Sequence, residues 1–238
     1  TTALVRDCHL IGEAEVFARA GLDDILIAYP LWIDDSAVAR LRVLAETVRL
    51  SIGCDSLESV RALPVGLAAL LVEVDCGHHR SGVAACDAGQ LAARLVAAGH
   101  VVRGALTFPG HSYAPGVASA VAAEEAQALV EAGEAMAAAG VAATELSGGS
   151  TPSLAFADSR LTEYRPGVYV FNDAQQWELG VCMPDQVALT CHARVVSRRA
   201  DRVVLDSGSK VLGADRAPYA SGGGRLLDDP EARITQLS

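Results

Sequence analysis

Short apolar runs alternate with amphipathic stretches along most of the chain. Ala3–Asp7, Ile25–Leu31, Arg49–Cys54, Leu67–Asp75, Val101–Phe108, Ala142–Leu146 and Val168–Asn172 read as strands, each bounded by turn residues or charge. Between them lie segments with helical spacing of apolar positions: Gly12–Ala20, closed by Gly21, Ser36–Thr47 with Ser36 as N-cap, a short helix from Ser56, Asp87–Ala98, an Ala/Glu helix over Val117–Ala139, and a helix near Pro152. Seven strands alternating with helices over about 175 residues form a series of parallel βα units. A closed (β/α)8 barrel of the TIM type has eight such strands, so the count is one short; a seven-stranded open α/β sheet also fits, and the polar clusters at the strand ends favour the barrel.

After Gln186 the pattern changes. VALTCHARVVSR and RVVLDSGSKVL are β-rich, with turn residues between them and no helical period, as at the start of an antiparallel β domain. The predicted division is a barrel over residues 1–185 and the start of a β domain over 186–238.

Composition narrows the function. Of the 238 residues, 51% are hydrophobic and 20% charged, enough for a sizeable core. A net charge of −10 without a basic run argues against a nucleic-acid or anionic-membrane partner. The longest apolar stretch, around Leu63–Val72, contains Pro64 and Gly66 and is too short to cross a bilayer. Six cysteines without a CxxC pair read as reduced thiols of a cytoplasmic protein.

Chemistry-bearing residues cluster after consecutive strands: DCGHHR at 75–80, PGHSY at 109–113, SGGSTPS at 147–153 and FND at 171–173. In a parallel barrel these strand ends share one face, where sites are built. In SGGSTPS, Gly148 and Gly149 free backbone amides, while Thr151 and Pro152 suit a helix start; the segment is either a phosphate cradle or an ordinary capped turn. Arg80 either faces a ligand anion or pairs with Asp75 or Glu73. His78 and His79 are adjacent and point in different directions. Cys8/His9 and Cys191/His192 make poor metal pairs, because neighbours on a strand face opposite sides.

In this order and spacing, VEVDCGHHRSGV, TFPGHSY, SGGSTPS and YRPGVYVFND resemble the D-serine dehydratase/D-threonine aldolase family. These are fold-type III pyridoxal phosphate (PLP) enzymes with an alanine racemase-like barrel. GEAEVFARAGLDDILIAYP upstream and VALTCHARVVSR with LDSGSK downstream extend the resemblance over essentially the whole chain. It implies a PLP-dependent lyase for small D-amino acids bearing a β-hydroxyl, of dehydratase or aldolase type. Gly148, Gly149, Ser150 and Thr151 would hold the phosphate, with Asn172 and Asp173 nearby. Arg80 would sit by the phenolic oxygen, and His111 and Tyr169 would line the ring or phosphate. His111 is the candidate catalytic group.

Two departures from the family pattern stand out. The family's first strand ends on the imine-forming lysine, whereas the one lysine here is Lys210, in the predicted β domain. The family's divalent metal, zinc or manganese, is held by a His-x-Cys pair that would lie beyond Ser238. The resemblance therefore implies that the missing barrel strand is the first, and the expectation is a fragment lacking both ends. A racemase of the same fold type and a truncated, non-catalytic PLP-binding product are the alternatives. Family members often pair across a dimer, so a homodimer is also expected.

Overall fold

The structure is a computed structural model that describes residues 7–213 and 215–238. The chain divides into two compact units. One holds residues up to 112 together with 118–165; the other holds 113–117 and 166–238.

The first unit is built on seven parallel strands that pair strictly in chain order. They are β1 (Asp7–Cys8), β2 (Asp24–Ile27), β3 (Arg49–Cys54), β4 (Ala69–Glu73), β5 (Val102–Leu106), β6 (Glu145–Gly148) and β7 (Glu163–Tyr164). The helices α1 (Ile11–Arg19), α2 (Asp35–Ala45), α3 (Ala88–Ala97) and α4 (Ala118–Ala138) are interleaved with them. Sequential parallel pairing with helical crossovers makes a curled sheet, and β1 and β7 are not paired with each other among the described residues. This is the expected barrel, one strand short of closure.

Strand alternation separates two apolar layers. Ile25, Ile27, Leu70 and Val72 join the main core with Leu41, Leu95, Leu129 and Met136 from the helices. Their neighbours Leu26 and Leu71 pack instead with Ala28 and Leu106 inside the curl. Neighbours on a strand face opposite sides, so a sheet covered on both faces reads as a continuous apolar run. Towards the N-terminal ends of the strands the inside of the curl is polar. Arg103 pairs with Glu145 and donates to Ser51 Oγ at 3.1 Å.

Several local expectations are corrected. Residues 3–6 of the first predicted strand lie outside the described residues, and β1 comprises Asp7–Cys8. The second strand stops at Ile27, ahead of Pro30, which has no N–H to donate. α2 is capped by Asp34, whose Oδ1 accepts the Ala37 N–H at 2.8 Å; Ser36 lies within the helix. The segment after Ser56 forms turns, not a helix. The sixth strand runs two residues further than predicted, into Gly148. Pro152 is followed by a single 3-10 turn at Leu154–Phe156. Val168–Val170 is also a 3-10 turn, and the seventh strand is the two-residue β7 upstream of it.

The second unit contains a short helix, α5 (Ala174–Glu178), and an antiparallel pair, β8 (Val195–Arg198) with β9 (Val203–Leu205). The valines of this pair, Val195, Val196, Val203 and Val204, are exposed. Among the six cysteines, Cys8, Cys54, Cys76 and Cys182 are buried, whereas Cys86 and Cys191 are exposed. No helix among the described residues is long and apolar enough to cross a membrane.

Candidate active site

The C-terminal ends of β4, β5 and β6 deliver the polar clusters to one edge of the sheet. After β4 the chain turns sharply: Gly77, His79 and Gly82 have positive φ. The Asp75 carboxylate organises the turn by accepting the backbone N–H groups of Gly77 and His79, both at 2.9 Å, and the His79 ring at 2.8 Å. Burial raises the Asp75 carboxyl, but these donors outweigh it and hold the group below its ordinary value.

The turn places Arg80 at the mouth of the curl. Its guanidinium lies 5.1 Å from the Tyr29 ring centre and 5.2 Å from that of Phe108. Stacking on two aromatic faces fixes a planar cation with little loss of hydration. Glu73 approaches Arg80 only at 3.9 Å and receives the Ser81 hydroxyl at 2.6 Å. Burial raises the Glu73 carboxyl, and its Oε2 has no hydrogen-bond partner. A narrow cleft opens among Glu73, Asp75, His78, Arg80, Thr107 and Phe108.

His78 turns inward, stacking on His111 at 6.3 Å and meeting Phe108 edge-on at 5.8 Å. Burial, Arg80 and His111 all push the His78 imidazole down, favouring its neutral form. His79 points away and is exposed, so the adjacent histidines separate as expected. His111 Nε2 lies 3.1 Å from Glu124, and its buried Nδ1 has no partner.

After β6, the Gly148–Ser153 segment turns on hydroxyls. Ser150 Oγ lies 2.8 Å from both Ser112 Oγ and Ser153 Oγ, and accepts the Ser153 N–H at 3.1 Å. Ser150, Thr151 and Ser153 are all buried. The expected Thr151 cap is corrected: Ser153 stands at the cap position of the 3-10 turn, and no side chain caps it. Gly149 has φ +100°, and a Cβ there would lie 2.8 Å from the Tyr164 ring. Its N–H donates to the carboxylate of Glu125 on α4.

Arg165, at the end of β7, ties the strand ends together. Its Nε donates to Ser147 Oγ at 2.8 Å and its Nη2 to the Thr107 carbonyl. Ser147 in turn donates to Glu163. Neither Arg165 nor Glu125 stood out in the sequence. Arg165 sits within YRPGVYVFND, where Tyr169 and FND are the residues that the resemblance singles out. Glu125 sits among the acids of an Ala/Glu helix.

The remaining candidates lie in the second unit. Tyr169 is exposed on the 3-10 turn. Asn172 has φ +54° and donates to the Gln186 carbonyl at 3.1 Å. Asp173 caps α5, accepting the Gln176 N–H at 2.8 Å. Lys210 is exposed in a turn of the same unit. Among the described residues, no three His, Cys, Asp or Glu side chains come together as a metal site.

With this geometry established, comparison with known proteins places the chain in the alanine racemase N-terminal domain family, whose model matches residues 8–175. D-threo-3-hydroxyaspartate dehydratase of Delftia sp. (strain HT23) is 36% identical over 221 residues, covering 86% of this chain and 58% of that protein. The solved structure of the Delftia enzyme superposes with a TM-score of 0.79 at 31% identity, over 88% of this chain and 59% of that one. D-threonine aldolase from Filomicrobium marinum gives 0.72 at 26%, over 90% and 62%. An uncharacterized protein of Mycobacterium tuberculosis, Rv1413, is 42% identical over 149 residues, 60% of this chain and 87% of its own length. The chain thus spans about three-fifths of each of these two solved structures. The fold is that of the fold-type III PLP barrel, and the two relatives with named activities given above are a dehydratase and an aldolase.

Proposed function

We propose that this chain is the barrel portion of a PLP-dependent lyase acting on small D-amino acids with a β-hydroxyl, and that dehydration is its reaction. The observation that carries this reading is the shared sheet edge. Arg80 after β4, His111 after β5 and the Ser150–Thr151 turn after β6 meet there, in a chain aligned over 86% of its length with a D-3-hydroxyaspartate dehydratase. Aldol cleavage is the second reading, supported by the D-threonine aldolase superposition.

The donor set suits an anionic aromatic group. Arg80 is a cation held against two aromatic rings, and Ser112, Ser150 and Ser153 gather hydroxyls at one turn. His111 Nδ1 and Glu73 Oε2 are buried polar atoms without partners. Bound pyridoxal phosphate would supply the electron sink for the bond broken at Cα. Gly149, Ser150 and Thr151 would hold the phosphate, and Arg80 would stabilise negative charge on the phenolic oxygen. His111, oriented by Glu124 through Nε2, can accept or hold a proton at Nδ1. A relative has been solved in a form described as metal-free, which supports a metal in the complete enzyme. The described residues offer no such ligand set, so no step is assigned to a metal here.

Equilibrium dialysis of the chain against PLP tests the site. Binding should weaken at least tenfold in Arg80→Leu and in Ser150→Val; unchanged affinity in both would overturn the assignment. For the reaction, the native gene product containing this segment should be assayed with D-threo-3-hydroxyaspartate, D-serine and D-threonine. Release of ammonia with an α-keto acid identifies a dehydratase, release of an aldehyde with glycine an aldolase, and neither would sink the lyase reading.

A further inference from the structure

The Gly148–Ser153 turn is gripped from behind by a buried acid. Glu125 is 1% exposed, and its carboxylate accepts the Gly149 N–H. A Cβ on Gly148 would lie 2.2 Å from Glu125 Oε1 and 3.2 Å from a Leu129 methyl. The carboxylate is therefore packed closely against β6 from its own helix. The ionisable groups facing it are Arg165 after β7, Tyr164 on β7 and Cys76 after β4. On its own helix, the neighbouring Glu124 is turned toward His111. Burial pushes the Glu125 carboxyl up to about 7, against the pull of the Gly149 amide, Arg165 and Ser153.

Ionised, this carboxylate fills the role the turn would offer a phosphate: it is an anion on a glycine amide. Two anions sharing one buried amide repel, and the low local polarity magnifies the repulsion. Protonated, the group keeps its packing, loses its charge and gains an O–H that can donate to an incoming oxygen. On the reading that this turn holds the cofactor's phosphate, we infer that Glu125 is a positioning residue that competes with phosphate for the Gly149 amide. A phosphate seats on the turn only as Glu125 takes one proton from solvent. Cofactor loading is thereby coupled to proton uptake inside the protein.

Calorimetry of PLP binding in two buffers of different ionisation heat reads this directly. At pH 8 the wild-type chain should take up close to one proton per PLP bound, and its affinity should fall nearly tenfold per pH unit above neutrality. Glu125→Gln should bind with no such uptake and with only the pH slope of the ligand's own phosphate, free phosphate serving as a second probe. Binding without uptake in the wild type, or an identical slope in the variant, overturns the inference while leaving the cofactor site intact. Absence of PLP and phosphate binding in both proteins instead sinks the phosphate reading of the turn, and this inference with it. The wild-type measurement needs no variant, so a poorly folded Glu125→Gln does not remove the test.

Discussion

The guanidinium carbon of Arg80 lies 5.1 Å from the centre of the Tyr29 ring. The two residues come from loops following β4 and β2, so the contact braces strand ends that are not adjacent in the sheet. The Phe108 ring centre lies at 5.2 Å from the same carbon. Tyr29→Leu should leave the fold intact and release Arg80 from one face, at a cost of about 1 kcal/mol. PLP affinity should fall severalfold, and dialysis alongside thermal melting separates the two effects.

Glu125 makes stability depend on pH. Its folded-state value, raised to about 7 from 4.5, means that the native state keeps a proton the unfolded chain releases between those limits. Stability should therefore fall as pH rises through this window, by about 1.4 kcal/mol per pH unit and about 3 kcal/mol in total, then level off. Below pH 4.5 both states are protonated and the penalty vanishes. Urea melts of wild type and Glu125→Gln from pH 4 to 8 should show the descent in the first and its absence in the second.

Gly148 and Glu125 should behave as one unit. Gly148→Ala forces a methyl onto the carboxylate and should destabilise by about 2 kcal/mol. Shortening the acid in Glu125→Ser removes the obstacle. The double variant should then be more stable than the sum of the single effects implies, by about 1 kcal/mol or more in a double-mutant cycle. Additive effects would mean that the methyl is resisted by Leu129 alone.

Arg165 joins β5, β6 and β7 through Thr107, Ser147 and Glu163. Arg165→Met keeps the bulk but leaves the Thr107 carbonyl and Ser147 hydroxyl each short of a donor, costing about 2–3 kcal/mol. Arg165→Lys retains charge yet cannot serve both partners with a planar fork, and should recover less than half the loss. Chemical denaturation of the two variants provides the measurement.

The long βα rhythm was legible because the central strands β2 and β4 are apolar on both faces and the helices between strands carry an apolar stripe. Leu70, Leu71 and Val72 announce a doubly covered strand, whichever side each one faces. What escaped is short or is decided by distant partners. β7 has two residues, too few to show any period, and it forms because the Ser147 and Gly148 backbone lies alongside to pair with it. Val168–Val170, richer in β-formers, winds into a turn. Of the candidate site, the clusters after β4, β5 and β6 could be placed on one edge from strand order alone. Glu125 did leave a trace. It lies four residues after Val121 and four before Leu129, on the buried stripe of α4, where an acid is out of place.

The unequal burial of the thiols has a practical consequence. Burial pushes Cys54 up to about 12 and Cys76 up to about 11, so neither forms appreciable thiolate near neutral pH. Cys86 and Cys191 are the exposed pair, one in each compact unit. Maleimide reagents under mild conditions would mark these two positions first, without engineered sites. Paired nitroxides or dyes attached there would turn the native chain into a molecular ruler, reporting how far apart its two units stand in solution and whether cofactor moves them.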